Sequence, residues 1–235
     1  MMTHIIGVLT YVEVVLALIA LALLEKKHAL SQYKSLAAIL ILTPSMTVVF
    51  SLLTHYLYST DRHLLYEIYF YMFWPNSIVE AILIVMFCYV VLTRLFSSLP
   101  ELRSISTRVF GWIVFFWCAV SARFFFMPHM NAVHLMVAEA TQLKLLEGGV
   151  SFLTGMVVFV SIRPLRLRFR SRLPAFGLGL IFCAMGIFFD HLSVEFKIAL
   201  GHWIMILGSG AICAQLISWV AGIAWREPVR EVVSV

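Results

Sequence analysis

The most basic segment of the chain reads Arg163-Pro164-Leu165-Arg166-Leu167-Arg168-Phe169-Arg170-Ser171-Arg172 and separates two long apolar stretches. Basic residues next to a membrane-spanning helix resist translocation and therefore mark the cytoplasmic side of a membrane protein. An alternation of arginine with apolar residues also suits a segment that lies on anionic lipid headgroups. We therefore expect headgroup contacts from Arg163, Arg166, Arg168, Arg170 and Arg172.

The other basic residues follow the same arrangement along the chain. Of the 17 lysines and arginines, 13 fall in four alternating stretches that separate or flank the apolar runs. Besides the arginines named above, these four stretches hold Lys26, Lys27, Lys34, Arg94, Arg103, Arg108, Arg226 and Arg230. The residues left for the other side are Arg62, Arg123, Lys144 and Lys197. This distribution predicts an amino terminus outside the cell and a carboxyl terminus in the cytoplasm.

The composition predicts an all-α integral membrane protein. The chain is 62% hydrophobic and 12% charged, whereas soluble domains average about 45–50% apolar and about 25% charged residues. Its 235 residues accommodate seven helices of about 20 residues, the length that crosses a bilayer core. We expect a single seven-helix domain over residues 1–235, in the multi-pass arrangement of a prokaryotic cell-membrane protein. The predicted spans are 5–24, 35–58, 67–96, 109–127, 143–162, 174–190 and 198–224.

The region before the fifth span has two interpretations. Residues 129–162 contain no proline and are too many for one untilted crossing at about 1.5 Å per residue. Charged and apolar positions alternate there, which favours an interfacial helix at 131–139 on the outer surface, followed by the span. In the alternative, the fifth span extends beyond the lipid.

The net charge and the cysteines exclude several classes of partner and site. The formal charge of +5 is spread over short loops beside apolar helices, so anionic lipid is a simpler partner than nucleic acid. Another membrane protein is a further candidate partner. The four cysteines lie within predicted spans without CxxC spacing, which signals neither a disulfide framework nor a zinc site. We expect Cys88, Cys118, Cys183 and Cys213 to be buried small apolar residues.

Ionisable residues inside the predicted spans indicate a polar pocket. A charge near the bilayer centre is costly, so it usually faces a partner or a wet cavity. Glu80 lies near the middle of the third span, and Arg123 is the expected counter-ion of Glu147 on the next helix. The resulting outward-opening pocket is predicted to contain Glu13, Asn76, Glu80, Arg123, Glu147 and His202, with Asp190 extending the polar layer. The predicted aromatic rim consists of Tyr66, Tyr69, Tyr71 and Trp74.

Each of these features also has a purely structural interpretation. Buried acids can be hydrogen-bonded between helices, an ion pair can join two neighbouring helices, and an aromatic belt occurs at membrane interfaces without any ligand. Pro44 and Pro75 should kink the second and third helices, with nearby hydroxyl and amide groups available to the freed carbonyls. The glycines of the last two helices, among them Gly177 and Gly179, should form close packing surfaces.

Seven of the eight histidines map to the predicted outer side. Near carboxylates they are candidate metal ligands, although none shows a spacing such as HExxH. A simpler interpretation is that neutral histidines hydrogen-bond water and headgroups. No motif signals a cofactor, and histidines at one level do not support two stacked haems, although one haem near the outer face stays open. The candidate metal ligands are His55, His129, His134, His191 and His202.

The sequence favours a non-enzymatic membrane component. It contains no catalytic motif, and a retinal protein would need a lysine inside the last helix, where Lys197 stands only at the outer edge. The leading hypothesis is a sensor-like or accessory subunit of a membrane complex with an outward-facing polar pocket. The alternatives are a small transporter or proton-coupled permease that uses Glu80 and Glu13, and a metal or haem protein that uses the outer histidines.

Overall fold

Seven α-helices make up the fold in the computed structural model, which describes residues 2–57, 62–122, 132–165, 167, 171–195 and 199–225. The described residues contain no β-strand. The helices are α1 (Met2–Lys26), α2 (Lys34–Leu57), α3 (Arg62–Leu95), α4 (Pro100–Ala122), α5 (Ala132–Ser161), α6 (Arg172–Glu195) and α7 (Ala199–Ala224). The predicted all-α architecture with seven helices is confirmed.

Six of the seven helices are long and apolar enough to cross a membrane. Within the described residues the exception is α4, whose first turns carry Glu101, Arg103 and Arg108. The span predicted for this helix, 109–127, also continues past Ala122 into residues outside the described part. The chain is therefore a multi-helix protein of membrane-spanning character, and the crossing by α4 and the orientation of the bundle stay predictions.

Six helices form a closed ring in the order α1, α2, α3, α5, α6 and α7, and α7 packs back against α1. Helix α4 lies outside this ring and packs against α3 and α5. Its outward side is apolar, since Trp112, Phe115 and Phe116 are each more than 60% exposed. An apolar exposed face of this kind suits contact with lipid tails rather than with water.

The two ends of the ring are packed differently. Connections of 7 and 4 residues, at 27–33 and 96–99, make consecutive helices antiparallel. We call the end where α1, α3, α5 and α7 finish the arginine end. Among the described residues, the largest fully buried side chains all lie in the half of their helix or connection nearest this end: Trp219, Tyr33, Phe87, Phe176, Leu24, Leu36, Leu40, Ile84, Leu95, Leu180, Ile223 and Val91.

Four aromatic rings fill the arginine end of the ring and are called the aromatic cluster: Tyr33, Phe87, Phe176 and Trp219. Edge-to-face contacts join Tyr33 to Phe176 at 5.1 Å between ring centroids, Phe87 to Phe176 at 5.5 Å and Phe87 to Trp219 at 5.5 Å. This geometry is favoured by the aromatic quadrupole. Arg94 closes the cluster, because its guanidinium lies 4.4 Å from the Tyr33 ring centroid and donates a hydrogen bond to the Tyr33 hydroxyl.

A short turn after α1 brings Tyr33 into this position. The backbone of His28 adopts a left-handed conformation with φ of 51°, as is common where a helix ends. The N–H groups of His28 and Ala29 donate to the carbonyls of Glu25 and Leu24. Ala29 is buried, so the chain turns inward at once and α2 starts beside α1.

Three sequence expectations need correction. The separate helix expected at 131–139 is wrong as an element, because α5 runs unbroken from Ala132 to Ser161. No proline or glycine interrupts residues 132–141, so the helix continues through its charged positions.

Cys118 is exposed while the other three cysteines are buried, because it lies on α4 outside the ring. Near Pro44, the Ser45 hydroxyl donates to the Ile41 carbonyl and the Thr47 hydroxyl donates to the Thr43 carbonyl. Neither hydroxyl bonds to the Leu40 carbonyl, which the proline leaves without its helical donor.

Close backbone contacts join α5, α6 and α7. A Cβ atom placed on Gly155 would lie 2.6 Å from the Gly177 carbonyl oxygen of α6. Gly179 similarly lies against the indole of Trp219. Glycines at both positions let neighbouring helices approach more closely than any side chain allows. By contrast, a Cβ on Gly210 would meet nothing within 4 Å, so the predicted packing role does not extend to that glycine.

Replacing Gly155 by alanine should destabilise the bundle, because the new methyl group meets a backbone oxygen that cannot rotate away. We expect Gly155→Ala to lower the free energy of unfolding by about 1–3 kcal/mol, the usual cost of overpacking. The measurement is thermal unfolding of the purified protein in detergent. Gly210→Ala is the matched control and should be neutral or slightly stabilising. Equal unfolding temperatures for the two variants would refute the close contact of α5 with α6.

Candidate functional site

A cavity of about 270 Å³ lies at the centre of the ring and is lined by all six ring helices. We call it the central cavity. The described polar side chains in its lining include four carboxylic acids, one lysine, one histidine, hydroxyl groups and an amide. They are Glu13 of α1, Thr43 and Thr47 of α2, Glu80 of α3, Lys144 and Glu147 of α5, Asp190 and His191 of α6, and Ser209 and Gln215 of α7.

Three of these side chains form an ion triad across the contact between α3 and α5. The Lys144 ammonium donates to the Glu80 carboxylate at 2.6 Å and to the Glu147 carboxylate at 3.0 Å. The Glu147 side chain is only 3% exposed, whereas those of Lys144 and Glu80 are 25% and 22% exposed. Glu147 is therefore the buried anchor of the triad, and its two partners border the central cavity.

Helix geometry explains why these residues meet. Lys144 and Glu147 are three residues apart on α5, so both side chains project from one face of the helix. Glu80 lies near the middle of α3, about 18 residues at about 1.5 Å per residue, or roughly 27 Å, from its first residue. An acid at such a depth is stable only with a close partner or water. The Lys144 ammonium provides that partner.

The charges of the ion triad do not cancel. Two carboxylates share one ammonium, so the fully ionised triad carries one excess negative charge. Removing charges from water costs several kcal/mol for each ion, and good hydrogen-bond geometry with partial access to the cavity reduces that cost. When both acids are ionised, the arrangement places an excess negative charge in a cavity wall that combines polar and apolar side chains.

Glu13 reaches the central cavity from another side of the ring. Its helix, α1, packs against α2 and α7, and is not a neighbour of α3 or α5. Glu13 is half-buried and makes no hydrogen bond or ion pair with any described residue. Its carboxyl group thus faces the same space as the ion triad without sharing the Lys144 ammonium.

The central cavity extends lengthwise through much of the bundle. On α7 its lining runs from Met205 to Trp219, which corresponds to roughly 21 Å at about 1.5 Å per residue. Trp219 belongs to the aromatic cluster and is fully buried. The aromatic cluster therefore forms the floor of the cavity at the arginine end, while Asp190 and His191 line it near the end of α6.

The structure brings three of the predicted pocket residues to one cavity and leaves others outside it. Glu13, Glu80 and Glu147 line the central cavity. Asn76 does not, although it lies one turn from Glu80, and its buried Oδ1 atom has no hydrogen-bond partner among the described residues. The side chains of two further predicted members lie outside the described part of the chain: Arg123 and His202.

Among the described residues, the cation beside Glu147 is Lys144. The sequence alone places Lys144 only among the basic residues of the outer side and not in the pocket. The signal that identifies it is the three-residue spacing of Lys144 and Glu147 on one continuous helix. The predicted contact between Arg123 and Glu147 involves a residue outside the described part and is not tested.

The predicted aromatic rim does not border the cavity where it is described. Tyr71 is 69% exposed, and neither it nor Trp74 belongs to the cavity lining. The side chains of Tyr66 and Tyr69 lie outside the described part of the chain. An exposed tyrosine near a helix end is what an interfacial aromatic belt provides without any ligand.

The candidate metal ligands are not brought together where their side chains are described. His191 lines the central cavity, whereas His55 is exposed and borders a separate shallow depression next to Phe50 and Ser51. The described residues contain no group of three or more potential metal ligands. His129 and the side chains of His134 and His202 lie outside the described part, so a site that includes them is untested.

The arginine-rich segment is described only in part. Arg163 is exposed just after α5, and Arg172 is half-buried at the first position of α6. Leu165 and Leu167 pack against the apolar core, so apolar residues of the alternating pattern point inward. Arg166, Arg168 and Arg170 lie outside the described residues, and the headgroup contacts of all five arginines remain predictions.

Comparisons with known proteins give no further assignment. The sequence matches no protein-family model and no curated protein, and the structure matches no solved structure. The function is therefore inferred from the geometry of the central cavity.

Replacing Lys144 by methionine should destabilise the protein, because the buried Glu147 carboxylate loses its partner and still faces Glu80. We expect a loss of about 3 kcal/mol, the lower end of the range for a broken buried ion pair, since Lys144 is partly exposed to the cavity. That corresponds to a fall of roughly 6–12 °C in unfolding temperature for a chain of this size.

The controls for this prediction separate the ion triad from a general effect of losing a lysine. Lys34→Met removes an exposed lysine at the start of α2 and should leave the unfolding temperature nearly unchanged. Adding Glu147→Gln to Lys144→Met removes the unpaired carboxylate and should restore part of the loss. Similar losses in the Lys34 and Lys144 variants, or no restoration, would show that the triad does not hold in the folded protein.

Proposed function

We propose that the protein is a non-enzymatic membrane component that binds a small ligand in the central cavity and acts as a sensor-like or accessory subunit. The observation that carries this proposal is the cavity itself, which contacts six helices and contains an ion triad in its wall. Pockets that bind small molecules are largely apolar, with a few convergent polar groups that fix the ligand. The described lining has this composition.

The proposed orientation places the arginine end in the cytoplasm. This assignment rests on the basic residues that flank the apolar segments, by the positive-inside rule. Lys26, Arg94 and Arg163 all belong to the arginine end. In this orientation the aromatic cluster lies on the cytoplasmic side, and the ion triad lies nearer to the outside.

Packing supports entry of the ligand from the outside. The aromatic cluster and the buried leucines around it fill the cytoplasmic side of the ring. Lys144 lies in the half of α5 that is farther from the arginine end, toward the proposed outer surface. A small solute would therefore reach Lys144 and Glu80 without displacing the aromatic cluster.

A sensor-like role follows from the number of helices that the ligand would contact. The cavity is lined by every helix of the ring, so a ligand that prefers one arrangement of these helices would shift the population toward it. A partner membrane protein would respond to that shift at the lipid-facing or cytoplasmic surface. The proposed cellular location is the cytoplasmic membrane, with anionic lipid at the arginine end.

Proton-coupled transport is the second candidate, and two observations favour it. The cavity lining extends roughly 21 Å along α7 at about 1.5 Å per residue, and Glu80 in its wall shares the Lys144 ammonium with a second acid. In this alternative the aromatic cluster would be the cytoplasmic gate and would have to open during each cycle. A receptor, by contrast, needs no opening at the arginine end.

Thiol labelling tests the outward-facing cavity. Ser209 lines the cavity, and Ser209→Cys changes the side chain by one atom, whereas Leu207 on the same helix is 55% exposed on the lipid-facing surface. The variants are made in a protein whose four native cysteines are replaced by alanine. A membrane-impermeant methanethiosulfonate reagent added from outside should modify Ser209→Cys and leave the Leu207→Cys control unmodified, because the thiolate forms only in water. Modification of Ser209→Cys from the cytoplasmic side alone, or from neither side, would contradict the proposed function.

Charge movement separates the two candidate functions. The protein is reconstituted in liposomes on a solid-supported membrane, and solutes are applied at two pH values. Sustained currents that Glu80→Gln abolishes without loss of folding would replace the sensor proposal with transport. We expect instead brief binding currents only, with the same form in the wild type and in a Glu25→Gln control.

A further inference from the structure

We infer that the ligand of the central cavity is a small organic cation with an ammonium group, held between Glu13 on one side and the ion triad on the other. This inference rests on the proposed function, since it names the ligand class of the same cavity. It is carried by the arrangement of charges in the cavity wall.

Among its described residues, the cavity wall has more carboxylic acids than basic groups. Its described residues include four carboxylic acids, on α1, α3, α5 and α6, and a single lysine. A concave site lined by one sign of charge with low-dielectric walls concentrates ligands of the opposite sign. An anionic ligand would face carboxyl groups from four helices, with Lys144 already engaged by two of them. The wall therefore selects against anions and in favour of cations.

Lys144 shows that this wall accommodates an ammonium group. Its Nζ atom lies 2.6 Å from a Glu80 oxygen and 3.0 Å from a Glu147 oxygen, which are the distances of strong charge-assisted hydrogen bonds. One excess carboxylate charge remains after this pairing. A ligand ammonium in the cavity would meet the partly exposed Glu80 carboxylate, which belongs to the cavity lining.

Glu13 provides the second contact. Its helix is not adjacent to the helices of the ion triad, so Glu13 and Glu80 line the cavity from different sides of the ring. Glu13 has no ion-pair partner among the described residues. An ammonium group between them would be shared by two carboxylates, as the ammonium of Lys144 already is.

The other residues of the cavity wall determine the size and polarity of the part of the ligand that lies outside its ammonium group. Ile39, Leu40, Ile84, Ile187 and Leu216 line the cavity, and its volume of about 270 Å³ lies near the lower limit of roughly 300–1,000 Å³ for ligand pockets. These properties fit a small amine with an apolar body. They do not fit a polyanion, whose charges would meet the carboxylic acids of the wall.

The test uses three probes of similar size that differ in charge: 2-phenylethylammonium, the neutral 2-phenylethanol and the anionic phenylacetate. Binding is measured by calorimetry on the protein in lipid nanodiscs, with empty nanodiscs to subtract partition into lipid. We expect the cation to bind at least about tenfold more tightly than the alcohol, since a hydrogen bond to a charged group gives about this factor. Phenylacetate should not bind.

Two variants locate the binding. Glu13→Gln should raise the Kd of 2-phenylethylammonium about tenfold or more, because it removes one of the two carboxylates that hold the ammonium. Glu25→Gln is the matched control on the same helix, where Glu25 is exposed at the arginine end and outside the cavity. It should leave the Kd unchanged. The cation should also slow thiol labelling of Ser209→Cys.

The outcomes separate this inference from the proposed function. If the alcohol or phenylacetate binds as tightly as the cation, or if Glu13→Gln leaves the Kd unchanged, the cation assignment is wrong. Absence of cation binding also overturns it. In each case, labelling of Ser209→Cys from outside would still support a ligand cavity. Failure of that labelling would overturn the proposed function as well.

Discussion

The ion triad of Glu80, Lys144 and Glu147 is the interaction on which the organisation of this bundle depends. Three charged groups inside apolar helices are stable only if they contact each other closely and retain some access to water. The observed distances of 2.6 and 3.0 Å meet the first condition. The central cavity meets the second. The triad therefore fixes the contact of α3 with α5 and requires a polar space beside it.

The rest of the ring divides according to this requirement. Near the arginine end, large aromatic and aliphatic side chains fill the space between the helices. Farther from that end, the same helices present acids and hydroxyl groups to the cavity. Small residues such as Gly155 and Gly177 let α5 and α6 approach closely, and this close approach holds the wall of the cavity in place. A bundle with one packed end and one polar end suits a binding site that is accessible from a single side of the membrane.

Much of the fold can be predicted from the sequence, because long apolar segments separated by charged connections permit few alternatives. All seven helices occur where apolar segments were expected, and Glu13, Glu80 and Glu147 were identified from their cost inside a membrane. The closed ring, with α4 outside it, could not be predicted, since helix order in the membrane depends on side-chain packing between segments far apart in the chain. The place of Lys144 in the pocket was missed for a related reason. Its partner on α3 is 64 residues away, and no local pattern indicates that contact.

The most direct measurement of the central claim is a double-mutant cycle between Glu80 and Lys144. Unfolding free energies of the wild type, Glu80→Gln, Lys144→Met and the double variant are measured in the same lipid environment. An ion pair within the bundle predicts a coupling energy of about 1 kcal/mol or more between the two substitutions. Additive effects, within about 0.3–0.5 kcal/mol, would show that the two side chains do not interact, and the basis for a charged cavity between α3 and α5 would be lost.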